Sequence, residues 1–266
     1  MSIENDITKP ISADEEKALI ERFNSVTLRL ENAIAASGRK GSKVQLVAVS
    51  KWHSAHSIIS IARHCNKLGV KAVFSENYMQ EALLKQSFIA ANAPELNIEW
   101  HFTGHLQSKK AKQAAGHFGL IHTLDTLSLA QNLQKIMEKQ DNTLPEANLQ
   151  SPLPLKQPVL VQVNLGQEAS KSGLEEADVE SFFEQLRAFT ALDVQGLMCL
   201  PPYDENAEKS RPYFAALRQI RDRLELKLGI KLPHLSMGMS HDFEVAVQEG
   251  ATLVRVGTDI FGPRQY

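Results

Sequence analysis

A lysine at the end of an apolar strand is the residue whose position speaks most directly of chemistry. The run Val44-Gln45-Leu46-Val47-Ala48-Val49-Ser50 reads as a buried strand and stops on Lys51. An ammonium is costly to desolvate there. An apolar surround that lowers its pKa leaves an amine able to form a Schiff base with an aldehyde. Far along the chain, Ser236-Met237-Gly238-Met239-Ser240 and Arg255-Val256-Gly257-Thr258 read as two turns rich in backbone and hydroxyl donors, suited to a phosphate. An aldehyde and a phosphate on one ligand suggest pyridoxal phosphate (PLP). Ser240 is placed to cap a helix over 241–249, whose first N–H groups would face an anion. Arg255, inside the apolar run Leu253-Val254-Arg255-Val256, needs an acceptor: a structural carboxylate or a ligand atom.

Each residue also has a plainer reading. Lys51 alone is as readily a snorkelling lysine, Ser240 an N-cap, Gly257 a turn glycine and Asn77 a helix-start residue. His101 and His105 are four apart, which favours a metal only on a helix; on a strand running into a loop no metal site is expected. Lys171, in Glu168-Ala169-Ser170-Lys171-Ser172-Gly173, is a competing amine in a polar loop. Gly166 and Gly173 make no nucleotide-binding fingerprint.

The elements that must position these residues follow from periodicity. Leu19, Phe23, Val26, Leu30 and Ile34 recur at helical steps over Ala13 to Ser37, and Gly38 can close that helix. Short apolar runs follow near 44–50, 70–74, 98–103, 119–123, 159–164, 194–199, 233–237 and 252–256. Helical stretches separate them, near 54–68, 76–90, 106–116, 126–139, 175–190, 210–228 and 241–249. This alternation predicts an α/β protein, a closed (β/α)8 TIM barrel with an extra N-terminal helix, with an open doubly wound sheet as the alternative. In a barrel the reactive groups sit where strands end, and the polar residues after the strands, including Asn77 and Asn164, gather there. Residues 1–13 read as a flexible lead-in and 14–266 as a single barrel domain. The proline-bearing segment Asp141 to Pro158 reads as an exposed loop on the opposite face, with no site.

Composition narrows the function classes. The chain is 43% hydrophobic and 23% charged with a net charge of -2, which is ordinary for a globular protein and lacks the basic face that nucleic acid requires. No apolar run approaches the ~20 residues of a membrane span. The acidic, polar N-terminus is unlike a secretory signal, and Cys65 and Cys199 form no disulfide framework, so the cytoplasm is expected.

The stretches LVAVSKWHS (46–54), FSENYMQEA (74–82), WHFTGHLQSKK (100–110), VNLGQEASKSG (163–173), GLMCLPP (196–202) and the run from Leu235 to Tyr266 resemble the pyridoxal-phosphate homeostasis protein family. That family's fold resembles the N-terminal barrel of alanine racemase. The chain departs from the family pattern at Ser75, where glycine is usual, and at Thr103, His105 and Lys109, where isoleucine, proline and asparagine are usual. His241 replaces a small or acidic residue. These departures bear on the loop over the cofactor's open face and leave the lysine and phosphate motifs intact. The resemblance implies that Lys51 forms the Schiff base with PLP and that Ser240, Gly257 and Thr258 hold the phosphate. It implies that Arg255 faces the pyridine nitrogen and that Asn77, Ser236 and Met237 line the site.

A guanidinium accepts no proton, and its charge disfavours protonation of the ring nitrogen, so the ring becomes a weaker electron sink. The expected function is therefore a PLP carrier that buffers the cofactor or delivers it to apo-forms of PLP-dependent enzymes, with no catalytic residue; that it is a monomer is implied by the resemblance alone. The rival is an amino-acid racemase, which would need a second acid/base from a further domain; none is expected after Tyr266. A third reading is a barrel enzyme that binds phosphate esters and uses Lys51.

Overall fold

The structure, a computed structural model, describes residues 6–39, 43–140, 156–166 and 172–263. The strands are β1 (Gln45–Val49), β2 (Ala72–Glu76), β3 (Ile98–Phe102), β4 (Leu120–Leu124), β5 (Gln157–Val163), β6 (Leu192–Cys199), β7 (His234–Ser236) and β8 (Leu253–Val256). Each pairs in parallel with the next, and β8 pairs with β1, closing the barrel. The helices are α1 (Ala13–Ala36), α2 (Ala55–Leu68), α3 (Met79–Asn92), α4 (Ala111–Ala114), α5 (Leu127–Gln140), α6 (Glu176–Leu186), α7 (Arg211–Leu228), α8 (Phe243–Gln248) and α9 (Thr258–Phe261). The closed barrel and the extra N-terminal helix are as the sequence predicts. The prolines of the segment from Asp141 lie outside the described residues except Pro158, and Lys171 lies outside them too.

Alternation along the strands builds the interior in layers. Val47, Val73, Leu120, Leu160, Met198 and Leu253 form an apolar plug inside the barrel. Burying each such side chain is worth about 1.5–3 kcal/mol. Two residues further along the same strand faces stand Ser75, His122, Gln162 and Arg255, so the next layer is polar. Two further again come Lys51, Asn77 and Gly257 at the C-terminal mouth. A second, larger core fills the space between the sheet and the helices.

α1 opens on a capping box between Ser12 and Glu15. It buries Leu19, Phe23, Val26 and Leu30 and packs on α8 and α9. Two expected elements differ from the sequence reading. The helix near 106–116 contracts to one 3-10 turn at Ser108–Lys110 and the single-turn α4. β2 runs on through Ser75 and Glu76 rather than yielding to a helix at 76, because buried partners described below neutralise the Glu76 carboxyl.

Candidate functional site

Lys51 sits half-buried in the turn from β1 to α2. Ser50 N–H donates to the Ser75 carbonyl at 3.0 Å and His53 N–H to the Ser50 carbonyl at 3.1 Å. Trp52 has φ 68°, and it is the one non-glycine residue with positive φ among the described residues. Such a conformation costs roughly 1–2 kcal/mol for a side chain of this size and persists only where its surroundings enforce it.

Beneath this turn lies a buried ionic cluster. Lys85 of α3 is fully buried and its ammonium donates at 2.7 Å to each of three oxygens: the Ser50 carbonyl, Glu76 Oε1 and Glu81 Oε1. Ser50 Oγ also donates to Glu76 Oε1 at 2.7 Å, and Trp52 N–H donates to Glu81 Oε1 at 2.6 Å. The other oxygens, Glu76 Oε2 and Glu81 Oε2, are buried with no hydrogen-bond partner. Two carboxyls against one ammonium leave surplus negative charge. Burial raises the Glu76 carboxyl; Lys85 opposes the rise and Glu81 adds to it, leaving it at about 7.

The two donor-rich turns meet at the first turn of α9. Ser240 does not cap the helix that follows it. That helix, α8, starts at Phe243 with Asp242 before it. Asp242 Oδ1 accepts from Met239 N–H at 2.7 Å, and its Oδ2 accepts from Ser210 Oγ at 2.8 Å. Residues 240–242 form a turn that postpones the helix, and Ser240 Oγ faces the Asp259 N–H of α9 at 3.5 Å. Gly257 lies against β1, where an added Cβ would meet the Val49 carbonyl oxygen at 3.2 Å. Thr258 is exposed. Ser240, Gly257 and Thr258 therefore come together at the start of α9.

α1 buttresses this corner. Arg29 donates to Asp259 at 2.5 Å, to Glu244 at 2.8 Å and to the Ser240 carbonyl at 3.3 Å, and Arg22 Nε donates to the Ile260 carbonyl at 2.7 Å.

Arg255 is buried in the polar layer with two neutral acceptors, Ser236 Oγ at 2.5 Å and the Cys199 carbonyl at 2.9 Å. The chain continues from Ser236 Oγ to His122 Nδ1 at 2.9 Å, from His122 Nε2 to His101 Nδ1 at 3.0 Å, and from His101 Nε2 to Glu99 Oε1 at 2.7 Å; Lys71 pairs with Glu99. Burial alone would raise the Glu99 carboxyl, but hydrogen bonds from His101 and Lys71 outweigh it and hold it at about 2. An ionised Glu99 can only accept, so His101 Nε2–H donates to it. Burial, reinforced by His101 and Arg255, holds the His122 pKa well below its ordinary value and keeps the ring neutral.

The remaining predicted residues divide. Asn77 is half-buried at the mouth, with Oδ1 3.2 Å from Thr103 Oγ1, which also lies 3.3 Å from Ser75 Oγ. Two departures from the family pattern, Ser75 and Thr103, therefore contact each other. Gly104 holds this corner tight, since a Cβ there would fall 2.0 Å from the Asn77 carbonyl oxygen. Ser236 belongs to the Arg255 chain. Met237 is fully buried and its side chain joins the outer core. His101 turns inward to His122, whereas His105 is exposed and bonds Ser172 Oγ at 2.9 Å, so the two do not converge. Lys109 is exposed, and His241 lies against the exposed Tyr203 ring at 4.9 Å.

Sequence reasoning missed Lys85, Glu81 and His122. The Glu81–Lys85 spacing is an ordinary surface pair on a helix, so nothing local marks it as buried. His122 was findable, because strand alternation puts it on the interior face beyond Leu120, next to His101 on the neighbouring strand.

Comparison with known proteins gives the family and the fold. The family "Alanine racemase, N-terminal domain" matches residues 26–265. A pyridoxal phosphate homeostasis protein of Aquifex aeolicus is 41% identical, covering 92% of this chain and 98% of its own. One of Pseudomonas aeruginosa is 38% identical over 93% of this chain and 96% of its own. PipY of Synechococcus elongatus, solved with PLP bound, superposes with a TM-score of 0.72 at 33% identity, covering 92% of this chain and 100% of that one. The chain belongs to the pyridoxal phosphate homeostasis protein family, within the alanine racemase N-terminal domain fold.

Proposed function

We propose that this family member binds PLP on Lys51 through a Schiff base and buffers or delivers the cofactor without catalysing a reaction of its own. When bound, PLP supplies an aldehyde that joins an amine and a ring that draws electrons from an attached amino acid when its nitrogen is protonated. The residues present fit that group. Lys51 is the amine at the mouth, and Ser240, Gly257 and Thr258 offer hydroxyl and backbone donors to a phosphate, in keeping with the PLP bound by PipY. Arg255 carries the reading. It is a buried cation that donates to two neutral oxygens, one layer below the mouth, and in this reading it faces the ring nitrogen. A guanidinium only donates, and its charge disfavours a proton on that nitrogen, so the site favours holding the cofactor over activating it.

Both cysteines are free and buried, and burial pushes their thiols up to about 11 at Cys65 and about 12 at Cys199, which suits a reducing cytoplasm. We read the chain as a monomer, its recipients being apo-forms of PLP-dependent enzymes. Among the described residues no helix is long and apolar enough to cross a membrane.

The test begins with the visible absorbance of the PLP-loaded protein. Borohydride reduction and peptide mapping should place the pyridoxyl group on Lys51, and Lys51→Ala should lose the absorbance band while keeping its fold. Mapping to Lys171 would overturn the assignment. The loaded protein should reactivate an apo-enzyme as its band declines. It should convert L-alanine to D-alanine no faster than matched free PLP. Turnover of ~1 per second or more, abolished by Lys51→Ala, would restore the racemase reading.

A further inference from the structure

The ionic cluster under the β1–α2 turn grips the backbone on both sides of one residue, and that residue is Lys51. On its N-terminal side, the Ser50 carbonyl accepts from Lys85 and the Ser50 hydroxyl donates to Glu76, each at 2.7 Å. On its C-terminal side, Trp52 N–H donates to Glu81 at 2.6 Å, and Trp52 is the residue held in the left-handed region. The three donor hydrogens of the Lys85 ammonium meet three acceptors, all inside the protein. A buried ion cluster is a poor choice for stability alone, since apolar residues of similar volume commonly serve as well or better. What apolar residues could not supply is an acceptor for the Trp52 amide and a donor to the Ser50 carbonyl.

We propose that Lys85, Glu76 and Glu81 are positioning residues: they lock the peptide groups flanking Lys51 so that its amine is presented in one direction to the cofactor's aldehyde. This rests on Lys51 being the amine that reacts. Misplacement of a reacting group by about an ångström is enough to slow a reaction by about a hundredfold, so the cluster sets the rate of bond formation more than the affinity for the rest of the cofactor.

Glu81→Met is the informative variant. It removes the acceptor for Trp52 N–H while leaving Lys85 paired with Glu76, so the buried charges balance. The expected result is a thermal midpoint at or above that of the unaltered protein and unchanged affinity for 4-deoxypyridoxine phosphate, which has no aldehyde. Bond formation with PLP, followed by absorbance in stopped flow, should slow by about tenfold or more. Glu81→Gln keeps an oxygen for the Trp52 amide and should restore most of the rate. If Glu81→Met does not fold, the charge-free variant K85M/E76Q/E81Q poses the same question, since it frees the Ser50 carbonyl, and the same slowing is expected. A wild-type rate in the folded variant would overturn the proposal and leave the cluster a purely structural device. Mapping of the reduced wild-type adduct to a lysine other than Lys51 would refute the underlying assignment instead, and the two failures are read from different samples.

Discussion

Replacing Glu76 with glutamine should change how stability responds to pH, because Glu76 is the surplus charge of a buried cluster. Glutamine keeps an oxygen for the Ser50 hydroxyl and the Lys85 ammonium and leaves Lys85 paired with Glu81. In the folded protein the Glu76 carboxyl is raised, chiefly by burial, from 4.5 to about 7. Between those values the folded state binds more protons than the unfolded chain, so stability falls as pH rises through that window and levels off above the folded pKa. A shift of this size, at about 1.4 kcal/mol per unit, is on the order of 3 kcal/mol. The wild-type protein should therefore lose roughly 2–3 kcal/mol, relative to Glu76→Gln, between about pH 5 and pH 8. Urea unfolding at closely spaced pH values, followed by fluorescence of Trp52 and Trp100, measures the difference directly, and groups common to both proteins cancel. Parallel pH profiles, or a gap that widens toward acid, would refute the reasoning.

Three other outcomes are expected. Ser240→Ala should weaken PLP binding by about tenfold, as the loss of one charge-assisted hydrogen bond of roughly 1.5–3 kcal/mol requires, and should leave the much weaker binding of pyridoxal unchanged in a spectroscopic titration. His122→Gln should flatten the acid side of the stability profile: His122 is buried neutral with its pKa lowered, so its contribution is complete above the unfolded pKa of about 6.5 and is lost as pH falls below it. Arg29→Met should weaken binding of inorganic phosphate measured by calorimetry, because it removes the side chain that ties Asp259, Glu244 and the Ser240 carbonyl together.

How much of this was legible in the sequence depended on whether the controlling interaction was local. The strands were legible because burial on both faces gives continuous apolar runs, and Lys51 stood out because it ends one of them. Ser240, Gly257 and Thr258 were legible as donor-rich turns, but the direction of Ser240 was not. The turn at 240–242 sends it to α9, 19 residues away, rather than to its own helix. Glu76 reads as a helix start because a carboxylate inside a strand is unfavourable without partners. Those partners arrive from α3 and from the end of β1, and neither Lys85 nor Glu81 carries a local sign of burial. His101 drew attention through the wrong partner. The spacing to His105 is close in sequence, whereas the contact that forms is with His122 across a strand pair.

The buttress between α1 and α9 joins residues far apart in time as well as in sequence. Arg29 and Asp259 are 230 positions apart. At a synthesis rate of roughly 5–20 residues per second, on the order of 10–45 s separates the emergence of one from the other. Throughout that interval α1 carries the stripe Leu19, Phe23, Val26 and Leu30 with its final partners unmade. Of the helices it packs on, only α2 is made early, so part of that stripe waits for α8 and α9 while the barrel is built. The corner proposed to hold the phosphate is completed only when α9 arrives to meet it. A cofactor that depends on this corner cannot guide the earlier steps of folding and can act only as a lock on a barrel already closed.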